Sequence, residues 1–367
     1  MLPYFCQTYG NPSSLHGAGR KARFAVEEAR ARIAHSIEAE PEEIIFTSGG
    51  TEANNLAIKG MAFSRFRTGK HIIVSTIEHD CVLNACQWLR TLGFETDFLP
   101  VDKEGLIPVD RLDEMIRPDT ILVSVMHANN EIGTIQPIAG IGAICTQHGV
   151  PFHSDATQSF GKIPLSVLEM KLDLATINSH KIYGPKGVGA LYVRRGTRIT
   201  PLLHGGGHEQ GLRSSTENVP AIVGFAHAAQ LCLSERESET LRLGTLRDRI
   251  INKVLEEIPS AYLNGHRWER LPNNINFGFH GLEGEAIKLL LMLDELGIEV
   301  SSGSACSSND SENKPSRVLA ALGRNPVEAR GALRITLGRF TSKDDVEFLI
   351  QSLLAAIRDL KPIISNP

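Results

Sequence analysis

The sequence predicts an α/β protein with two domains, the first built on a mainly parallel sheet. Three observations predict it. The chain has 367 residues, more than a single hydrophobic core normally organises. Short apolar runs alternate with helical patterns up to about residue 234, which is typical of a parallel sheet with helices on both faces. Long helices with few strands follow, so we expect a large domain over residues 1–234 and a smaller α+β domain over 235–367.

The elements of the first domain follow from hydrophobic spacing. Apolar residues at positions i, i+3 and i+4 predict a helix from about residue 15 to 38, after a turn at 11–14. Strands are expected at 44–46, 72–74, 96–99, 121–125, 150–153 and 173–177. Helices are expected at 51–63, 81–92, 108–116 and 138–148. Ligands of such sheets bind beyond the carboxyl ends of the strands, so residues at strand ends are the functional candidates.

The second domain has a different pattern. A long charged helix is predicted over 235–258 and a further helix over 283–296, with two more helices near the end of the chain. Strands are predicted at 272–279, 298–300 and 333–337. Residues 301–314 are rich in Ser, Gly, Asn and Asp, which predicts a loop.

Composition excludes several classes of protein. The net charge of −4 offers no basic surface for nucleic acid, and no apolar run is long enough to span a bilayer. The first residues lack the basic and then apolar pattern of a signal peptide. Six cysteines are scattered without a C-x-x-C pair, as expected of reduced thiols. We therefore expect a cytoplasmic protein that binds neither nucleic acid nor membrane.

Lys181 follows the strand predicted at 173–177 and precedes a Tyr-Gly-Pro turn. Burying an ammonium group is costly, and a neutral lysine at a strand end can instead form a Schiff base with an aldehyde cofactor. A surface lysine in a loop is the alternative, and this stretch alone favours it. Gly50 and Thr51 also have two interpretations, and their own segment alone favours the structural one. They follow a strand and begin a helix. They could bind phosphate at the helix N-terminus or form a plain glycine turn.

Other residues at strand ends have two readings each. His79 could stack on an aromatic cofactor and transfer protons, or be structural. Asp155 could pair with a protonated pyridine nitrogen, and Gln158 could reach the phenolic oxygen of the same ring. A helix N-cap explains Asp155 equally well. Arg334 could hold a carboxylate or form a salt bridge to a glutamate.

Cys306 lies in the Gly- and Ser-rich run, where a cysteine has no packing role, so reactivity is the better explanation. His204 and His208 have a spacing seen in metal sites. Three glycines separate them and no third ligand is near in sequence, so we expect no metal.

The order of these motifs resembles that of the NifS/IscS-like cysteine desulfurases, in the class V aminotransferase group of pyridoxal phosphate (PLP) enzymes. The resemblance runs from about residue 10 to 340. The matching motifs are Thr-Ser-Gly-Gly-Thr-Glu-Ala-Asn-Asn at 47–55, Glu-His at 78–79, His-Ala-Asn-Asn-Glu-Ile-Gly at 127–133, Asp-Ala-Thr-Gln at 155–158, His-Lys-Ile-Tyr-Gly-Pro-Lys-Gly at 180–187 and Ser-Ser-Gly-Ser-Ala-Cys at 301–306.

The resemblance implies a fold-type I PLP-dependent transferase that works as a homodimer. It implies that Lys181 holds PLP as a Schiff base, that Cys306 takes the sulfur, and that His79 stacks on the ring and transfers protons. The implied cofactor-binding residues are Gly50, Thr51, His79, Asn130, Asp155, Gln158, Asn178, His180, Lys181 and, from the neighbouring subunit, Thr216. The implied substrate-binding residues are Asn130 and Arg334.

The implied reaction converts L-cysteine to L-alanine and leaves a persulfide on Cys306. Acceptor proteins would then use the sulfur for iron–sulfur cluster assembly or for thiolation of tRNA or cofactors. Some departures from the family matter. Asn178 stands where a serine is usual, and Ser215 where a glycine is usual. The short opening strand and Ala-Thr-Thr turn of the family are not in the sequence.

Two alternatives stay open at this point. The run at 307–314 is longer and more polar than the common form, which resembles selenocysteine lyases. The second alternative is a catalytically impaired PLP-fold protein that serves as a scaffold in sulfur transfer. The missing opening strand motivates it.

Overall fold

A seven-stranded mixed sheet organises the first of two structural units in the computed structural model, which describes residues 1–303 and 315–365. The first unit comprises Met1–Leu99, Pro108–His127 and Gln136–Arg236. The second comprises Pro100–Ile107, Ala128–Ile135 and Glu237–Pro367. Cys306 lies outside the described residues.

The strands of the first sheet are β1 (Ile44–Thr47), β2 (His71–Ser75), β3 (Glu95–Leu99), β4 (Thr120–Ser124), β5 (Phe152–Asp155), β6 (Leu174–Asn178) and β7 (Gly189–Val193). Their order is β1-β7-β6-β5-β4-β2-β3. Strands β2 to β6 pair in parallel, while β7 is antiparallel to both β6 and β1. Strand β1 therefore runs in the same direction as β6, and six strands have their carboxyl ends at one edge.

Helices cover this sheet. They are α1 (Leu2–Cys6), α2 (Gly17–Ser36), α3 (Gly50–Arg65), α4 (Asp80–Arg90), α5 (Val109–Met115), α6 (Ile138–His148) and α7 (Val219–Glu257), which continues into the second unit. Every residue of β2 and of β4 to β7 is buried, because both faces of the sheet are covered. One core cluster joins Leu56 and Met61 of α3, Leu89 of α4, and Ile72 and Val74 of β2.

The second unit contains a four-stranded antiparallel sheet and three more helices. Its strands are β8 (Ala261–Leu263), β9 (Asn274–Phe279), β10 (Ser301–Ser302) and β11 (Leu333–Thr336), in the order β10-β11-β9-β8. Its helices are α8 (Ala286–Asp294), α9 (Arg317–Ala321) and α10 (Lys343–Ser365). The core of this unit packs Phe277 of β9 against Ile250 of α7, Leu293 of α8 and Leu353 of α10.

The predicted α/β class is confirmed, and most predicted elements lie within a few residues of the observed ones. Three differences stand out. Strands β7 and β8 and helix α1 were not predicted from the sequence. The helix predicted over 235–258 begins at Val219, so residue 234 lies inside α7. The strand predicted at 298–300 was wrong, because Ile298 and Val300 pack against the core while pairing with β11 occurs at Ser301 and Ser302.

Membrane spans were sought in the same residues. Within 1–303 and 315–365, each helix is too short or too polar to cross a bilayer.

Candidate active site

The N-terminus of α3 lies at the carboxyl edge of the first sheet. Gly49 is the N-cap, with φ 154° and ψ 179°, a backbone conformation essentially restricted to glycine. The Gly49 backbone also passes close to Gly189, where an added Cβ would lie 2.9 Å from Gly49 Cα. The first amides of α3 follow this turn and have no partners within the helix. They can bind an anion.

Gly50 leaves a small space beside two polar side chains. A Cβ added to it would lie 3.0 Å from Asn178 Nδ2 and 3.0 Å from Thr157 Oγ1. Thr157 Oγ1 and Asn178 Oδ1 are buried and have no hydrogen-bond partner among the described residues. The Thr157 hydroxyl and the Asn178 Nδ2 group beside Gly50 can both donate hydrogen bonds, whereas Asn178 Oδ1 only accepts. Two donors at the positive end of a helix dipole fit a phosphate group. Asn178, at the position where a serine is usual in the family, borders this space with its side chain.

Asp155 ends β5 and is 5% exposed. Its Oδ2 accepts a hydrogen bond from Asn54 Nδ2 at 2.7 Å, and its Oδ1 accepts one from the Thr157 backbone N–H at 2.9 Å. Among the described residues it has no salt-bridge partner. A buried carboxylate requires a cation, and the protonated ring nitrogen of PLP would supply one. The residues present therefore fit the cofactor at both its phosphate and its ring.

His79 is the N-cap of α4, the helix that follows β2. Its Nδ1 accepts the Cys81 backbone N–H at 3.2 Å and lies 3.0 Å from Cys81 Sγ. Asn54 Nδ2 donates to the same sulfur at 3.1 Å. Burial raises the pKa of Cys81 to about 12, so the group is a thiol at neutral pH. A hydrogen-bonded chain thus joins Asp155 to His79.

Lys181 lies in the short 3₁₀ helix Ser179–Ile182, directly after β6, and its side chain is exposed. His180 precedes it, and burial together with the charges of Lys181, Lys186 and Lys162 lowers the pKa of His180. Lys162 Nζ donates to the Gln158 carbonyl at 2.7 Å. Burial, followed by the charge of Lys181, lowers the pKa of Lys162 to about 8.

Thr216 is exposed between the 3₁₀ helix Glu209–Gly211 and α7. Arg213, three residues before it, forms a salt bridge of 2.6 Å to Glu52 in the first turn of α3. This pair, together with a hydrogen bond from Ser48 N, lowers the pKa of Glu52 against the effect of its burial. The segment that contains Thr216 is therefore tied to the helix that begins at Gly50.

The second unit holds Asn130 and Arg334. Arg334, on β11, donates from Nη1 to the Asn130 carbonyl at 3.2 Å. The neighbouring Glu131 is buried, and burial raises its pKa, while a hydrogen bond from Ser316 Oγ (2.6 Å) and the charge of Arg334 act in the opposite direction. Arg334 thus lies near a buried glutamate and contacts the Asn130 backbone.

The sequence-predicted residues of the first unit other than Thr216 lie at or shortly after the carboxyl ends of β1, β2, β5 and β6, namely Gly50, Thr51, His79, Asp155, Gln158, Asn178, His180 and Lys181. Sequence reasoning missed Asn54, Cys81 and Thr157. Asn54 offered a signal, because it lies on the buried face of α3 between the apolar residues Ala53 and Leu56. Among the described residues, no group of three or more His, Cys, Asp or Glu side chains converges as a metal site would require.

The chain is similar to known proteins over nearly its whole length. Residues 1–349 match the family described as Aminotransferase class-V. The chain is 52% identical over 364 residues to "Cysteine desulfurase IscS" of Dictyoglomus turgidum, covering 99% of this chain and 91% of that protein. The chain belongs to the cysteine desulfurases of the class-V aminotransferase family. "Cysteine desulfurase IscS 1" of Archaeoglobus fulgidus is 51% identical over 361 residues, covering 98% and 93%.

Solved structures place the fold in the same family. A "NIFS-LIKE PROTEIN" superposes with a TM-score of 0.90 at 34% identity, covering 97% of this chain and 94% of that one. "SspA in complex with cysteine" superposes with a TM-score of 0.80 at 39% identity, covering 93% and 94%. The fold-type I architecture and the resemblance to cysteine desulfurases are therefore confirmed, and family membership implies PLP as the cofactor.

Proposed function

We propose that the protein is a PLP-dependent L-cysteine desulfurase, which converts L-cysteine to L-alanine and leaves a persulfide on Cys306. The observation that carries the proposal is the sheet edge of the first unit. There a buried Asp155 without a salt-bridge partner among the described residues lies at the same edge as two donors that border Gly50, the unpaired Thr157 hydroxyl and the Asn178 Nδ2 group. A ligand with a cationic ring and a phosphate satisfies both ends of this arrangement.

The chain's residues would hold the cofactor as follows. Lys181 is the covalent attachment point, Asp155 pairs with the ring nitrogen, and Gln158 contacts the phenolic oxygen. His79 stacks on the ring. The phosphate group is bound by the amides and side chains at the start of α3, with the contributing residues Gly50, Thr51, Asn178 and His180 and, from the neighbouring subunit, Thr216. When bound, PLP withdraws electrons from the substrate and stabilises negative charge at its Cα.

The remaining residues act on the substrate. Arg334 and Asn130 bind L-cysteine, with the guanidinium of Arg334 on its carboxylate. The Cys306 thiolate attacks the substrate sulfur, so that an S–S bond forms while the Cβ–S bond breaks. The electron pair of the broken bond stays with the carbon skeleton, and protonation completes L-alanine. His79 is the group that we assign to proton transfer, because it lies beside the Asp155 network.

The biological setting is part of the proposal. We infer a homodimer, since Thr216 is exposed and can serve a neighbouring subunit. The sulfur would pass to acceptor proteins for iron–sulfur cluster assembly or for thiolation of tRNA or cofactors. A cytoplasmic location is supported by five free cysteines among the described residues, since a reducing compartment keeps thiols free.

Replacement of Lys181 by alanine tests cofactor attachment. Wild-type protein reconstituted with PLP and dialysed should keep the absorbance band of lysine-bound cofactor, while Lys181→Ala should lose it, because the covalent link is gone. Lys186→Ala, at an exposed lysine of the same turn, is the matched control and should keep the band. A band that survives unchanged in Lys181→Ala would contradict the assignment.

Alanine release separates the substrate alternatives. The proposal requires alanine production from L-cysteine by the reconstituted wild type. Negligible release from L-cysteine alongside rapid release from selenocysteine would instead identify a selenocysteine lyase. PLP binding without alanine release from either amino acid would indicate the scaffold alternative.

A further inference from the structure

Four side chains of the first unit form a continuous hydrogen-bonded chain at the carboxyl edge of the sheet. Asn54 Nδ2 donates to Asp155 Oδ2 at 2.7 Å and to Cys81 Sγ at 3.1 Å. Cys81 Sγ lies 3.0 Å from His79 Nδ1. Three of the four come from different elements, since Asn54 lies on α3, Asp155 ends β5, and Cys81 lies in the first turn of α4. Cys81 thus stands between the acid and the imidazole.

The chemistry of the groups fixes the direction of every bond. Asp155 accepts at Oδ2, so Asn54 presents its NH₂ group to it. The opposite orientation of the amide would place Asn54 Oδ1 against a carboxylate oxygen. The second hydrogen of the same NH₂ group points to Cys81 Sγ, so the sulfur accepts there. The single hydrogen of the thiol is then left for His79 Nδ1.

The protonation state of Cys81 supports this direction. Burial raises the pKa of its thiol to about 12, and the negative charge of Asp155 adds to the effect. A thiolate would have no hydrogen for His79, whereas a thiol has one. Cys81 is therefore a hydrogen-bond donor at neutral pH and not a nucleophile.

His79 receives a second hydrogen bond at the same ring nitrogen. As the N-cap of α4, its Nδ1 accepts the backbone N–H of Cys81 at 3.2 Å. A nitrogen that faces two donors has no room for its own hydrogen, so the proton of the neutral imidazole must lie on Nε2. One residue thus supplies both donors, one from its backbone and one from its side chain.

We propose that Cys81 is a positioning residue for His79, holding the imidazole in its Nε2–H tautomer and in a fixed orientation linked through Asn54 to Asp155. The inference rests on the proposed function, in which His79 exchanges a proton with the substrate. In the Nε2–H tautomer, that exchange takes place at Nε2. The thiol itself forms no covalent bond in this role. Among the described residues, loss of its hydrogen bond would leave His79 Nδ1 with the backbone N–H of Cys81 as its partner.

Nitrogen NMR of protein labelled in histidine tests the tautomer directly. In the wild-type holoenzyme and in cofactor-free protein, we expect His79 to show a pyridine-type Nδ1 and a pyrrole-type Nε2. A protonated Nδ1 in the neutral ring would overturn the proposal. A His79→Asn spectrum identifies the His79 resonances among those of the 13 histidines. The measurement needs no turnover, so it stands even if the protein proves inactive on L-cysteine. Failure of the proposed function would appear separately, as absent alanine release with the Nε2–H tautomer intact.

Two substitutions then isolate the thiol. Cys81→Ser keeps a donor and should leave both nitrogen resonances of His79 in their wild-type class. Cys81→Ala should move the Nδ1 resonance toward that of a nitrogen with fewer hydrogen bonds, and should lower kcat about fivefold to tenfold at unchanged KM. Cys145→Ala, at a buried thiol of α6, is the matched control and should change neither the Nδ1 resonance of His79 nor kcat. Nδ1 resonances in Cys81→Ala identical to those of the wild type would overturn the role of the side chain.

Discussion

At the scale of single residues, Glu78 is a buried carboxyl group next to His79. Its Oε1 accepts hydrogen bonds from Ser75 Oγ and from the Met126 backbone N–H, both at 2.6 Å. It thereby joins the turn after β2 to the segment after β4. Burial raises the pKa of Glu78 from 4.5 to about 8, and the charge of Asp155 adds to the rise, although the two hydrogen bonds oppose it. The group is therefore neutral at pH 7.

Glu78→Gln should make the fold less sensitive to rising pH. In the unfolded chain the glutamate ionises above about pH 4.5, whereas in the fold it stays protonated up to about pH 8. Between these values ionisation favours the unfolded state, so the contribution of Glu78 to stability falls as pH rises. Glutamine keeps the acceptor oxygen and has no charge in either state. The gain in unfolding free energy should therefore grow with pH, reaching about 3 kcal/mol at pH 7.

Thermal unfolding of cofactor-free protein between pH 5 and pH 8 measures this effect. The melting temperature of Glu78→Gln relative to wild type should rise across the range. Glu169→Gln, a substitution at an exposed glutamate, should follow the wild-type profile. A difference between Glu78→Gln and wild type that is constant over the range would refute the effect.

At the scale of elements, the junction of β1 with α3 determines where a phosphate can bind. Gly49 allows the sharp turn, and Gly50 leaves the space bordered by Asn178 and Thr157. The two bordering residues come from the ends of β6 and β5. Because β1 runs in the same direction as these strands, all three strand ends meet at one edge. The antiparallel strand β7 between β1 and β6 is what produces this alignment.

Gly50→Ala should weaken PLP binding by about tenfold or more. The added methyl group would lie 3.0 Å from Asn178 Nδ2 and from Thr157 Oγ1, so at least one of these side chains must move. Titration of cofactor-free protein with PLP gives the dissociation constant. The matched control is Gly244→Ala in α7, where no atom lies within 4 Å of the new Cβ, and its affinity should equal that of the wild type. Equal affinities for both variants would exclude a phosphate site at Gly50.

The sequence predicts an element well where the residue pattern within that element determines its structure. Helix α6 is an example, with predicted and observed bounds identical at Ile138–His148. It predicts an element poorly where pairing with another strand determines the structure. Strand β8 has three residues and β10 has two, so neither is long enough to show alternation, and both exist through pairing with longer strands.

The candidate site follows the same rule. Strand ends and glycines mark Gly50, Asp155 and Lys181 from the sequence, and the family resemblance supplies their roles. The chain from Asp155 through Asn54 and Cys81 is different, because Asn54 and Asp155 are 101 residues apart. No spacing in the sequence brings them together. The packing of α3 against the carboxyl edge of the sheet brings these two residues together.

At the scale of the whole molecule, the functional residues divide between the two units. The residues assigned to PLP lie mainly in the first unit, and Arg334 lies in the second, together with Asn130. Cys306 follows β10 and precedes α9 in the sequence of the second unit, outside the described residues. Cofactor binding and sulfur acceptance therefore depend on different parts of the chain and should be separable by mutation.

Cys306→Ser should keep the bound cofactor and lose sulfur transfer. The groups that we assign to the ring and phosphate of PLP, such as Asp155 and Gly50, do not involve Cys306, so the absorbance of bound PLP should match that of the wild type. A serine hydroxyl cannot form a persulfide, and sulfur transfer to an acceptor should fall at least about a hundredfold. Mass spectrometry after incubation with L-cysteine should find the added sulfur on Cys306 in the wild type and none in the variant.

Cys6→Ser, at an exposed thiol of α1, is the matched control and should behave as the wild type. Sulfur transfer by Cys306→Ser at the wild-type rate would mean that another thiol accepts the sulfur. Cys81, Cys86 and Cys145 have pKa values of about 12 and stay protonated thiols. The exposed Cys6 would therefore be the first alternative to test.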